Sequence, residues 1–496
     1  MRDRRVIVVG AGMGGLAASL ELAAHGCDVL VLERGATHGG KMREVAVDGA
    51  AIDAGPTVFT MRSIFDALFA AAGTSLESHL AIDPLPILAR HAWSEGETLD
   101  LHADLRQSAD AIGEFAGPAE ARGYLAFMTA ARRTFQALDR TYLHAAHPTP
   151  LSLVRDAGAR GLPDLLRMRP FATLWQALSD HLRDPRLRQL FGRYATYCGG
   201  SPFLASATLM LIAHVEQEGV WAVRGGMQRL ADAIAALAVQ RGARFRYGAE
   251  VADITADGGR VTGVTLADGE RIEGDAVVFN GDIAALGTGR LGQAARRAVP
   301  PPRPRAKRSL SALTWAMTAR TSGLPLSRHT VFFSRDYAAE FDDLLRLRRL
   351  PVDPTVYVCA QDRDGRNGGG PAGPERLFLL VNAPASGDES TPGEPDIARC
   401  EAGVFALLAR CGLELTPTGP PVVTGPAGFE QLFPASGGAL YGSAPHGWTS
   451  AFDRSGATTR LPGLFLAGGS VHPGPGVPMA ALSGRHAAAA VLNARR

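Results

Sequence analysis

Lysine is almost missing: of 51 basic residues only Lys41 and Lys307 are lysine. Net charge is nearly missing too, at +2 over 496 residues, so the strong positive field of a nucleic-acid-binding protein is excluded. Cysteine is scarce and scattered. Cys27, Cys198, Cys359, Cys400 and Cys411 form no CxxC pair and no zinc spacing, which fits reduced thiols in a cytoplasmic protein and no metal. No apolar run reaches the roughly 18 residues that span a bilayer; residues 203–213 are apolar but too short. Arg2, Arg4 and Arg5 before the uncharged stretch 6–20 imitate a secretory signal. Gly10, Gly12, Gly14 and Gly15 break that stretch and Glu21 ends it, as a strand, turn and helix would.

Glycine, by contrast, is abundant, with 58 residues, and proline adds 32. With 46% apolar residues the chain is ordered, so the glycines read as tight turns and close backbone approaches. The length suits two or three domains.

Residues 5–9 (RVIVV) read as a buried strand, 16–24 as a helix and 28–32 (DVLVL) as a second strand: a βαβ unit. Residues 105–240 are mostly helical in pattern. Short strands are expected at 244–247, 261–266, 276–279, 355–360, 377–381 and 464–466, and a last helix at 480–493. Residues 300–308 read as a Pro/Arg connector and 364–374 as a loop.

Gly10-Ala11-Gly12-Met13-Gly14-Gly15 fits G-x-G-x-x-G directly between strand and helix. The first glycine permits the turn, the second lets a pyrophosphate approach and the third lets helix and strand pack. The helix N-terminus offers amide donors, and Glu33, at the end of the next strand, stands where an acid receives ribose hydroxyls. Gly287-Thr288-Gly289-Arg290-Leu291-Gly292 matches the same pattern without a preceding strand, and prolines 300–302 cut off a helix. It is a decoy. Gly39-Gly40-Lys41-Met42 can add amides and a cation, and 463–481 combine a strand, a glycine turn and a helix start.

These blocks together resemble the FAD-dependent carotenoid desaturases of the phytoene desaturase family, within the amine-oxidase-like flavoproteins. The resemblance spans almost the whole chain: 6–35, 39–42, DAGPTVFTM (53–61), YCGGSPF (197–203), GVWAVRGGMQRL (219–230), DAVVFNGD (275–282), GGALYG (437–442) and 464–485. Segments 87–104, 170–199, 329–341 and 354–364 look most like the branch of purple-bacterial 1-hydroxycarotenoid 3,4-desaturases, also called methoxyneurosporene dehydrogenases.

The resemblance implies an α/β fold with a Rossmann-like FAD-binding domain, a mixed-sheet substrate domain and a helical, membrane-facing region. The corresponding division is 1–75, 220–300 and 450–496 for FAD, 76–110 and 301–449 for substrate, and 111–219 for the helical lid. Around FAD it implies Gly10, Gly12, Met13 and Gly15 at the pyrophosphate, Glu33 at the ribose and Lys41 near the phosphates. Many relatives carry arginine at that last position; lysine keeps the charge and loses the bidentate fork. Pro56 and Thr57 are implied close to the flavin, Val251 beside the adenine, and Asn280 and Asp282 in the same neighbourhood. Gly469, Gly476, Val477, Pro478 and Met479 are implied to cover the flavin, with Leu440 as a further lining residue.

The implied reaction forms the C3–C4 double bond of a 1-hydroxylated acyclic carotenoid, by hydride transfer to flavin and loss of a proton. The hydroxyl gives the site a polar handle on an apolar molecule. His91, Arg140, His214, Glu216 and Tyr441 are polar candidates for proton transfer, none singled out. His472 reads as a loop residue. A quinone or oxygen is the expected electron acceptor. An insoluble substrate implies a protein peripheral to the inner or intracytoplasmic membrane, and residues 202–215 read as an apolar helix, either core or membrane-docking lid. Competing readings are a phytoene-type desaturase, a redox-neutral carotenoid cis–trans isomerase, an amine oxidase and a lipid-binding chaperone of the GDP-dissociation-inhibitor type.

Overall fold

After Arg5 the run VIVV (6–9) is β-branched and apolar, as suits a strand covered on both faces. With Arg5 it forms the strand Arg5–Val9 at the centre of a parallel sheet in a computed structural model that describes residues 4–156, 158, 168–169, 171–363, 370–389 and 393–494. Asp28–Leu32 and Ala276–Phe279 flank it, and Arg244–Arg246 and Leu464–Leu466 lie outermost. Helix Met13–Ala24 makes the first crossover and packs against Gln228–Gln240 and Val477–Asn493. Gly484 permits that contact, because a side chain there would collide with the Gly14 carbonyl. The final helix starts at Val477, earlier than the alanine run suggests. Pro478 sits in its first turn, where its missing N–H has no intrahelical partner to lose.

Val251–Asp257, Arg260–Leu266 and Arg271–Glu273 form a small antiparallel sheet. The decoy segment 287–292 joins two short helices, Ile283–Gly287 and Gln293–Ala298. Six residues of the expected loop, 364–369, and residue 170 lie outside the described residues.

A larger mixed sheet runs Leu413–Pro417, Ser311–Gly323, Glu375–Ala383, Val356–Ala360, His329–Phe332, Ile87–Ser94 and Glu97–His102. Its pairs are antiparallel except His329–Phe332 with Ile87–Ser94. The 13-residue strand Ser311–Gly323 is buried on both faces over Ser311–Met317, so its serines, threonines and alanines show no alternation for periodicity to detect. Helices pack on both faces of this sheet: Glu394–Arg410 shares a core with Leu313, Trp315 and Met317, and Leu105–Ala116 and Pro185–Gly192 share another with Ala316, Val331 and Phe378. Asp104 caps Leu105–Ala116, and Asp184 with Pro185 starts Pro185–Gly192. Residues 202–215 are not one helix: a 3₁₀ turn, Ala207–Met210, opens under the Ser206 side chain, and the α-helix runs only Leu211–Glu218.

Candidate active site

Between the two main sheets lies a cavity of about 1430 Å³. That exceeds the roughly 300–1000 Å³ that serves a single small ligand. One arm begins at the glycine turn after Arg5–Val9. Gly10 has φ +97° and Gly39 φ +111°, and the Gly39 amide donates to the Ala11 carbonyl at 2.8 Å, so the two glycine turns lie side by side. A Cβ on Gly40 would stand 2.9 Å from the Gly12 Cα, and one on Gly14 would stand 2.6 Å from Asn280 Oδ1 and 2.7 Å from the Gly468 nitrogen. Only backbone fits, which leaves a cradle of amides at a helix N-terminus.

Glu33 closes this arm. Its carboxylate accepts from the Ala11 amide and the Gly35 amide, each at 2.7 Å, and the residue lines the cavity at the strand end. Lys41 donates to the Leu440 carbonyl and stands over the Phe433 ring. Burial pushes its pKa down, against the pull of Asp282. Burial likewise pushes Asp282 up, opposed by its bond to the Ala284 amide and by Lys41 and Arg454. Arg454 bonds the carbonyls of Gly469, Tyr441 and Ser443 and ties the C-terminal glycine turn to the loop beneath it. Amides for a pyrophosphate, a carboxylate for a ribose and a long enclosed slot fit FAD.

Gly10, Gly12, Met13, Glu33 and Lys41 all border the cavity. So do Pro56, Thr57, Val251, Asn280, Asp282 and Leu440. Gly469, Gly476, Val477, Pro478 and Met479 line it from the C-terminal side. Gly15 stands behind the turn, where a side chain would collide with the Gly10 carbonyl, and it does not border the cavity. Gly14, at the next position, does.

The second arm is apolar. Leu209, Ile212, Val215, Phe378 and Leu380 line it. Tyr357 stands where the arms meet: its phenol oxygen lies 2.6 Å from Thr57 Oγ1 and 2.7 Å from His329 Nδ1. Of the polar candidates, Glu216 and Tyr441 line the cavity, while His91, Arg140, His214 and His472 do not. His91 is buried beside the stacked pair Trp93 and Phe333, and His214 pairs with Glu218 at 3.3 Å. His472 Nε2 donates to the Ala145 carbonyl at 2.9 Å. Sequence reasoning missed Arg193, Tyr197, Tyr357 and Arg454. Only Tyr197 sits in a glycine block, at the start of YCGGSPF (197–203), and the spacing of Arg193 and Tyr197, four residues apart, hints at a shared face.

The family model of flavin containing amine oxidoreductases matches residues 13–492. A hydroxyneurosporene desaturase of Rubrivivax gelatinosus is 57% identical over 99% of this chain and 94% of its own length. One from Cereibacter sphaeroides is 48% identical over 98% and 97%. Among solved structures, putrescine oxidase bound to putrescine shares the fold at TM-score 0.59 and 16% identity, covering 99% of each chain. With its cradle, its C-terminal glycine turn and these relatives along its full length, the chain belongs to the flavin containing amine oxidoreductase family, in its carotenoid desaturase branch.

Proposed function

We propose that this protein is an FAD-dependent desaturase that introduces the C3–C4 double bond into 1-hydroxylated acyclic carotenoids of the 1-hydroxyneurosporene type. One observation carries the reading: a single cavity joins a dinucleotide cradle to an apolar arm with few polar groups. Relatives named for hydroxyneurosporene support the substrate class. When bound, the flavin supplies an acceptor for the hydride that leaves one carbon, while the neighbouring carbon loses a proton. A quinone or oxygen closes the redox balance. The chain's own part is position and dryness.

In this reading Gly10, Gly12, Met13 and Lys41 hold the pyrophosphate, Glu33 the ribose and Val251 the adenine, with Asn280 and Asp282 shaping the slot. Gly15 serves them by letting helix and turn pack. Pro56, Thr57, Leu440, Gly469 and Gly476 to Met479 surround the flavin ring. Residues 1–75, 220–300 and 450–496 form the cofactor part, 76–110 and 301–449 the substrate part and 111–219 the helical cover.

The substrate arrives from a membrane surface. No helix among the described residues is long and apolar enough to cross a bilayer. Three large apolar residues of the cavity lining reach the outside: Val154 is 47% exposed, Phe171 76% and Trp448 45%. Such a rim gains by burial in lipid.

The test is incubation with 1-hydroxyneurosporene in liposomes plus an electron acceptor. The expected product is lighter by two hydrogens and red-shifted. Unchanged mass with altered isomer composition would mean isomerisation, and a colourless protein that takes up no FAD would mean a lipid-binding chaperone.

A further inference from the structure

Two charged side chains, Arg193 and Glu216, line the apolar arm among the described residues, and they are joined through a phenol. Both Glu216 oxygens accept, from Tyr194 Oη at 2.5 Å and from Tyr197 Oη at 2.9 Å. Having donated its proton to Glu216, Tyr197 accepts from Arg193 Nη1 at 3.0 Å. The guanidinium also stands over the rings of Tyr197 and Tyr357, 5.0 and 5.4 Å from their centroids. The direction of donation is thereby set. Arg193 has one side-chain acceptor among the described residues and lines the same cavity as Ile212, Val215 and Leu380, with further N–H groups to satisfy. A guanidinium in apolar surroundings needs a further acceptor.

Its location is specific. Tyr357, under the guanidinium, is bonded to Thr57. On the other side Tyr441, next to Leu440, packs on Gly199 at the end of the same 3₁₀ turn, Arg193–Cys198. Arg193 therefore stands where the cofactor arm meets the apolar arm. In a 1-hydroxylated carotenoid only C1 and C2 lie between the hydroxyl oxygen and C3. A group that reads this hydroxyl must stand beside the reacting carbons, and therefore near the cofactor arm.

We propose that Arg193 is the specificity-determining residue of the site. It donates to the C1 hydroxyl oxygen of the substrate, and Tyr197 and Glu216 act as positioning residues that hold the guanidinium toward it. This rests on the desaturase reading above. A substrate without the hydroxyl leaves the guanidinium unpaired and is disfavoured for that reason, not for its shape.

The experiment compares kcat/KM for 1-hydroxyneurosporene with that for neurosporene, which lacks the hydroxyl, in flavin-loaded wild type, Arg193→Gln and Tyr197→Phe. Wild type is expected to favour the hydroxylated substrate. That preference falls about 10- to 100-fold in Arg193→Gln and by a smaller factor, in the same direction, in Tyr197→Phe. A loss equal for both substrates in variants that retain flavin would overturn the role of Arg193. So would a wild type that desaturates both substrates equally, which needs no variant to fold. A wild type that binds FAD and desaturates neither removes the desaturase reading itself, and the inference with it.

Discussion

The side-chain oxygens of Thr57 and Tyr357 lie 2.6 Å apart although the residues are 300 positions apart in the chain. Tyr357 continues the chain of bonds to His329 Nδ1 at 2.7 Å. A loop beside the glycine cradle is thus fastened to two adjacent strands of the large sheet, and the wall between the two arms of the cavity is held by buried polar groups. Such groups are costly if left unpaired and restrictive when paired.

His329 makes this wall sensitive to acid. Burial, with help from Arg328 and Arg193, pushes its pKa down to about 3 from an ordinary value of 6.5. As pH falls below 6.5 the unfolded chain takes up the proton first, so the histidine's contribution is full above that pH and is lost toward pH 3. Between about pH 7 and pH 5 the stability gap between wild type and His329→Phe is expected to narrow by about 2 kcal/mol. Urea unfolding at the two pH values checks it, and a gap that is constant or widens contradicts it.

Two neighbouring glycines separate folding from cofactor binding. Alanine at Gly14 would press on Asn280 Oδ1 and the Gly468 nitrogen, so Gly14→Ala should destabilise even flavin-free protein by about 1–3 kcal/mol. A Cβ on Gly12 meets Asn280 Nδ2 at 3.0 Å and otherwise only the Gly40 Cα at 3.9 Å. Gly12→Ala should therefore weaken FAD affinity while changing the melting of flavin-free protein less. Thermal melts and FAD titration by flavin absorbance measure both.

Glu375 and Arg363 form a buried ion pair at 2.7 Å, with side chains 1% and 9% exposed, and Thr321 Oγ1 donates to the same carboxylate. Removing one partner strands the other, so Glu375→Ala is expected to cost about 3–5 kcal/mol. The double replacement Arg363→Met with Glu375→Leu should recover most of that loss in denaturant titrations.

Phe171 and Trp448 touch edge to face, 5.4 Å between ring centroids, at the rim of the cavity. Phe171→Ser with Trp448→Ser should lower binding to liposomes about tenfold or more, since each large apolar side chain is worth about 1.5–3 kcal/mol on burial. Flavin content should not change. Co-sedimentation with vesicles reads the effect, and equal binding by the variant would place the membrane contact elsewhere.

The amino-acid sequence by itself determined the cofactor half of this protein. The glycine turns, Glu33 and the βαβ unit are local in the chain, and their spacing follows from the few backbone geometries that bring amides to a phosphate. Every expected cofactor residue except Gly15 borders the cavity. Only the tertiary structure decided the substrate half. Ser311–Gly323 carries no periodicity because both faces are covered over much of its length, and the apparent apolar helix at 202–215 starts only after the Ser206 cap, first as a 3₁₀ turn. Arg193, Tyr197, Glu216 and Tyr357 become one group because a 3₁₀ turn, a helix end and one sheet strand meet there, and Thr57 joins them from across the chain. A side chain that recognises a ligand needs no fixed neighbour in sequence, only a fixed position in space.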